Sequence, residues 1–129
     1  MTFVVDTPAL AALLFGAEQQ LGSDARRILQ GGGPFLVPGH ALVELRLLAR
    51  RHHVPLPWSE VERIFDGLED TTVVPLDPEV VRRMPPQLDL HDALLAAAAQ
   101  AHSELQAEDV ILVTPSQGLK EWGGLRVLW

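Results

Sequence analysis

Apolar residues in this chain gather into short unbroken runs, separated by longer stretches where they recur at helical spacing. Phe3-Val4-Val5, Phe35-Leu36-Val37 and Val110-Ile111-Leu112-Val113 do not alternate with polar positions, which is the pattern of strands covered on both faces. The runs predict strands at 2–6, 35–38, 72–75 and 110–114, with a weaker one at 126–129. Between them the helix signals are mostly caps and stops. Thr7 as N-cap with Pro8 at the first helical position opens a helix reaching Phe15. A second helix spans 23–30 and ends at Gly31-Gly32-Gly33-Pro34, and a third runs from His40 to about His52, stopped by Val54-Pro55. Ser59 with Glu62 reads as a capping box for a helix to about Glu69. Asp77-Pro78 caps a short helix ahead of Pro85-Pro86, and Asp89 caps an Ala-rich helix to about Leu105. A turn or short helix is expected after Thr114.

Strands separated by helices predict a three-layer α/β/α fold around a central parallel sheet of about five strands. In such sheets ligands bind beyond the carboxyl ends of the strands, where the strand order reverses. At 129 residues the chain is expected to form one domain over 1–129, with a single good core. The longest apolar run, Ala93 to Ala99, is far short of the roughly 20 residues a membrane span needs. The opening Met-Thr-Phe-Val-Val-Asp has no basic stretch of the kind that begins a secretory signal. A cytoplasmic location without membrane attachment is the expectation. The chain has no cysteine, which excludes thiol catalysis and Cys-based zinc sites.

Three acids stand where this fold turns toward one edge. Asp6 closes the first strand, Glu44 lies in the apolar segment Ala41-Leu42-Val43-Glu44-Leu45, and Asp92 opens His91-Asp92-Ala93-Leu94-Leu95. Acids on apolar elements cost desolvation energy unless they are paired or bind a cation. Together they point to a hard metal ion and phosphate chemistry. Each also has a plainer explanation. Asp6 can cap the first helix, Asp92 can return a hydrogen bond to the cap at Asp89, and Glu44 can pair with Arg46 or Arg51.

Other chemistries fit less well. Ten basic against seventeen acidic residues, a net charge of −7, argue against a sequence-independent duplex binder. They leave room for a local basic groove from Arg46, Arg50 and Arg51 near Glu44, or from Lys120 and Arg126; the same residues also read as solvated surface. The Gly31-Gly32-Gly33-Pro34 segment lacks the Lys-Ser/Thr of a phosphate loop. The five histidines do not read as a metal set: His52 and His53 diverge, and His91 and His102 lie roughly 16 Å apart along one helix. His91 stands where it can tune Asp92 or contact a phosphate.

With these residues in place, the whole chain resembles the PIN-domain family, especially its small ribonuclease toxins of the VapC type. Val4-Val5-Asp6-Thr7-Pro8-Ala9-Leu10 is similar to the family's opening motif, and Pro38-Gly39-His40-Ala41-Leu42-Val43-Glu44-Leu45 to its second. Leu90-His91-Asp92-Ala93-Leu94-Leu95-Ala96-Ala97 is similar to the third, and Leu112-Val113-Thr114 to the strand before its fourth acid. The resemblance implies a five-stranded parallel sheet, Mg²⁺ or Mn²⁺ at a carboxylate cluster, and metal-dependent cleavage of single-stranded RNA. It also implies a cognate antitoxin that covers the site, and commonly a homodimer.

By that resemblance Asp6, Glu44 and Asp92 are the catalytic acids and the metal ligands, with Thr7 and Ser116 positioning water or phosphate. Ser116 occupies the position where the family usually carries its fourth acid, and Pro115 that of a basic residue. Asp89, Asp109 and Glu121 are the nearest substitutes, and none stands at the motif position. Three acids are enough for one Mg²⁺, which keeps several waters. The rival expectation is a PIN-like binding or scaffold protein whose nuclease site has decayed.

Overall fold

The computed structural model describes residues 1–129. Five strands, β1 (Thr2–Val5), β2 (Phe35–Pro38), β3 (Thr71–Val74), β4 (Val110–Val113) and β5 (Arg126–Leu128), form one sheet in the order β3-β2-β1-β4-β5. Every pairing is parallel. Seven helices connect the strands: α1 (Thr7–Leu14), α2 (Ser23–Gln30), α3 (Gly39–Arg51), α4 (Trp58–Gly67), α5 (Pro78–Arg82), α6 (Leu90–Gln106) and α7 (Gln117–Trp122). A single 3₁₀ turn at Glu18–Gln20 had no signal in the sequence pattern. No helix is long and apolar enough to cross a membrane.

The three layers follow from the lack of alternation in the strands. Val5, Phe35, Val37 and Val113 face the larger core, shared with Ala9 and Leu10 of α1, Ile28 of α2, Leu45 of α3 and Ile64 of α4. Val4, Leu36 and Leu112 point to the other face, against Leu95, Ala96 and Ala99 of α6 and Leu119 of α7. The central strands are therefore apolar on both sides because both sides are covered. The small side chains of α6 have a second use on its far side. There Ala97, Ala98 and Ala101 pack with Val80 of α5, so this helix lies between the sheet and another helix.

Two helix starts depart from the sequence reading. Asp6, not Thr7, is the N-cap of α1, its carboxylate accepting from the Thr7 amide at 2.7 Å. Thr7 and Pro8 thus lie in the first turn, where a missing N–H removes no intrahelical bond. The Ser59–Glu62 capping box does not form. α4 begins at Trp58 with Pro57 as N-cap and no side-chain bond there, so Ser59 is already helical. The caps at Asp77 and Asp89 form as expected, accepting from the amides of Val80 and Asp92.

The topology determines where a site can lie. The chain steps from β1 to β2 to β3 in one direction, then crosses back to place β4 on the other side of β1. The order thus reverses between β1 and β4, whose carboxyl ends are level, with Val5 opposite Val113. Asp6 and Thr114 emerge side by side from that reversal. Because α6 lies directly on the sheet, Ala96→Leu is expected to overpack this layer and lower stability by about 1–3 kcal/mol, read from urea unfolding.

Candidate active site

Asp6 leaves β1 with only 1% of its surface exposed, and both of its carboxylate oxygens are engaged. Its amide donates to the Val113 carbonyl at 3.1 Å, extending the β1–β4 ladder by one bond. Oδ1 accepts from the Thr7 amide, and Oδ2 accepts from the Thr114 hydroxyl at 2.6 Å. The fourth contact is His91 Nε2, 3.0 Å from Oδ1. The other nitrogen of that ring, Nδ1, lies 2.6 Å from Glu44 Oε1. One imidazole at the start of α6 therefore joins an acid at the end of β1 to an acid on α3.

The network continues on the β4 side. The Ser116 amide donates to Thr114 Oγ1 at 3.2 Å, and Ser116 Oγ donates to Asp92 Oδ2 at 2.9 Å while accepting from the Leu119 amide at 3.2 Å. Ser116 is thus the N-cap of α7 and a hydroxyl donor to Asp92 at once. Glu44, His91, Asp6, Thr114, Ser116 and Asp92 form one hydrogen-bonded path, closed by the peptide link between His91 and Asp92. Gly118 makes room for its last member: a Cβ there would come 2.9 Å from Asp92 Oδ2.

The three acids differ in access. Asp6 and Asp92 are buried, whereas Glu44 is only partly covered. The plainer reading of Glu44 as a partner of Arg46 or Arg51 does not hold. Arg46 turns away to donate to the Leu56 carbonyl at 2.8 Å, and Glu44 meets histidines instead. Thr7 is buried at the foot of α1, and its hydroxyl oxygen has no hydrogen-bond partner. Asp89 caps α6 by accepting from the Asp92 amide, and its carboxylate does not join those of Asp6, Glu44 and Asp92.

The histidine reading needs the larger correction. His91 and His102 are indeed remote, with His102 paired to Glu108 at 2.9 Å beyond the far end of α6. His40, however, stands one helical turn before Glu44 and faces His91 edge-on, with ring centres 5.7 Å apart. Its Nε2 is 3.7 Å from Glu44 Oε1 and has no hydrogen-bond partner. The His40-x-x-x-Glu44 spacing was the available signal, since positions four apart share a helix face. Its partner on α6 lies 47 residues past Glu44 and could not be found from spacing alone.

Electrostatics separate the two rings. The hydrogen bond to Asp6 raises the His91 pKa to about 9, helped by the nearby charge of Asp6 and by Glu44, against the opposing effect of burial. Burial lowers the His40 pKa, with the neighbouring His91 adding to the effect and Glu44 opposing it. At neutral pH the site therefore holds one imidazolium, between Asp6 and Glu44, and one neutral imidazole beside it.

Comparison with known proteins adds family and fold. A family model described as PIN domain matches residues 3–111. Among solved structures, a chain from a toxin–antitoxin complex of Klebsiella pneumoniae superposes with a TM-score of 0.59 at 18% identity, covering 99% of this chain and 97% of that one. A crystal structure of a Pyrobaculum aerophilum protein gives a TM-score of 0.53 at 15% identity, over 98% of this chain and 89% of that one. At such identities the likeness is one of fold. Among curated proteins, none matches the chain in sequence.

Two measurements check the network. Thr114→Val removes a donor from a buried carboxylate without changing size much, and is expected to cost about 1–3 kcal/mol in chemical denaturation. The ring protons of His91 should titrate near pH 9 in NMR spectra. That value lies above the 6.5 of a free imidazole, so the stabilisation from the imidazolium is complete below about pH 6.5 and is lost as pH rises through about 9. In an Asp6→Asn variant the titration should move back toward 6.5.

Proposed function

This chain belongs to the PIN-domain family, and from that premise we propose that it is a metal-dependent endoribonuclease acting on single-stranded RNA, the toxin of a toxin–antitoxin pair. The observation that carries the reading is the closed path joining Asp6, Glu44 and Asp92 at the reversal between β1 and β4. Two of the three carboxylates, Asp6 and Glu44, share one imidazolium, which leaves excess negative charge at an edge where Asp6 and Asp92 are buried. An all-oxygen donor set with a hydroxyl beside it suits Mg²⁺ or Mn²⁺. The residue types suit the ion that the family implies, although His91 stands between Asp6 and Glu44 and the oxygens of the three acids do not lie within 4.8 Å of one another.

Asp6 and Asp92 would hold the ion, directly or through water, with Glu44 as the third acid. When bound, such an ion acidifies water and offsets the charge that builds on the phosphate during cleavage. The remaining work falls to the protein. The amide of Thr7 and the hydroxyl of Thr114 keep Asp6 fixed. Ser116 orients Asp92 in the same way. Glu44, the most accessible of the three, is placed to accept a proton from the attacking water. Ser116 also offers a hydroxyl near the site, and Thr7 an unengaged one.

The partner reading rests on other features. The Klebsiella pneumoniae neighbour is by its description a toxin–antitoxin complex. Val43 and Leu47 stand exposed on the outer side of α3, the helix that carries Glu44, and Trp58 lies exposed at the start of α4. Apolar groups beside the acids suit an antitoxin that covers the site, and a second copy of the chain could use others. One domain over 1–129, working in the cytoplasm, completes the proposal.

One observation favours the rival scaffold reading. Ser116 caps α7 and donates to Asp92 where a fourth acid is usual, so the network is satisfied without an ion. Purified protein incubated with a panel of single-stranded RNAs and Mn²⁺ separates the two. The nuclease reading expects cleavage that chelation abolishes and that Asp6→Asn reduces by about a hundredfold or more. Ser116→Asp keeps an N-cap residue but trades a donor for a carboxylate. It is expected to destabilise the metal-free protein and to tighten Mn²⁺ binding by about tenfold, ~1.4 kcal/mol, in calorimetric titration. No cleavage by wild type or by Ser116→Asp would establish the scaffold reading.

A further inference from the structure

We propose that His40, Glu44 and His91 form a second kind of metal site, one that takes a borderline transition-metal ion, Zn²⁺ in preference to Mg²⁺. One donor atom from each residue lies within 4.8 Å of the other two. His40 and Glu44 project from one face of α3, a turn apart, and His91 reaches them from the start of α6. Two imidazole nitrogens and one carboxylate oxygen are a donor set for Zn²⁺ and its neighbours, not for Mg²⁺, which prefers oxygen throughout. Three protein ligands leave a fourth position open, as in zinc sites that bind water or substrate.

Three details point to an ion rather than to a chance cluster. His40 is 8% exposed, and its Nε2 faces Glu44 Oε1 at 3.7 Å with no hydrogen-bond partner. A buried ring nitrogen without a partner is rare, and a cation between it and Glu44 would satisfy it. The second detail is spacing. Two ligands on a tetrahedral zinc lie roughly 3.4 Å apart, and two imidazoles on it have ring centres about 5 Å apart, given Zn–N near 2.1 Å. The observed 3.7 Å and 5.7 Å need to close by well under 1 Å. The 2.6 Å between His91 Nδ1 and Glu44 Oε1 would open by about 0.8 Å as the ion replaces the shared proton. Third, Nε2 of His91 already points at Asp6 Oδ1 from 3.0 Å. A ligating histidine whose other nitrogen donates to a carboxylate is the usual support of such sites, orienting the ring and strengthening its donor.

The site does not depend on RNA cleavage, and it uses neither Asp92 nor Ser116. It shares Glu44 with the oxygen site, so the two ions would draw on the same carboxylate. Calorimetric titration of the metal-free full chain with Zn²⁺ and with Mg²⁺, each alone, provides the test. Zn²⁺ is expected to bind at least about a hundredfold more tightly, and His40→Gln to weaken Zn²⁺ by about tenfold or more while changing Mg²⁺ affinity less than about twofold. His40 is buried, so the folding of this variant is checked by circular dichroism. X-ray absorption at the zinc edge of the wild-type complex gives a reading that needs no variant, and two imidazole ligands are expected. An oxygen-only or single-imidazole environment would overturn the proposal, and so would unchanged Zn²⁺ affinity in a folded His40→Gln protein. Zinc binding with no cleavage of any RNA would count against the nuclease reading alone; cleavage with Mg²⁺ and no zinc site would count against this one alone.

Discussion

A carboxylate buried as deeply as that of Asp6 is tolerable only if hydrogen-bond donors surround it, and much of the local architecture supplies them. Left unpaired, an ionised group at this depth would cost several kcal/mol. One donor is the next residue along the chain, one belongs to α6, on the sheet face that α1 does not cover, and one comes from 108 residues away. The last is possible only because β1 and β4 pair in parallel with Val5 opposite Val113. A slip of one residue in that register would turn Thr114 to the other face of the sheet and leave Oδ2 bare. The strand order, the register and the acid are in this sense one constraint.

The elements were legible in the sequence because their signals are local. Unbroken apolar runs marked strands with two covered faces, and Asp77 and Asp89 marked helix starts that form as read. Where local signals competed, the reading failed by small amounts. Ser59 and Glu62 have the spacing of a capping box, yet Pro57 already holds an extended backbone that lets Trp58 enter the helix first. Thr7 looked like a cap until Asp6, committed to the β1–β4 edge, took that place.

The three acids could be picked out as candidates, but their partners could not. Nothing near Glu44 in sequence announces His91, and the adjacent arginines offered a more obvious partner that the fold directs elsewhere. Side-chain pairings between α3 and α6 depend on how both helices sit against a sheet, information that residue spacing does not contain. The result is a site with two donor chemistries in contact. Oxygen donors cluster toward β4 and Ser116, and nitrogen donors cluster toward α3. Glu44 belongs to both, which makes it the residue through which a change on one side is felt on the other.

The hydrogen bond between Thr114 and Asp6 joins the second half of the chain to its very start, and protein synthesis runs in only one direction. A growing chain presents Asp6 and Glu44 early, while His91, Asp92 and the strand Val110–Val113 are still unmade. Until they emerge, β1 lacks its β4 neighbour and Asp6 keeps water as its partner. The network is therefore absent until the chain has been extended past Ser116. Whatever chemistry this edge performs waits on a strand made more than a hundred residues after its first acid.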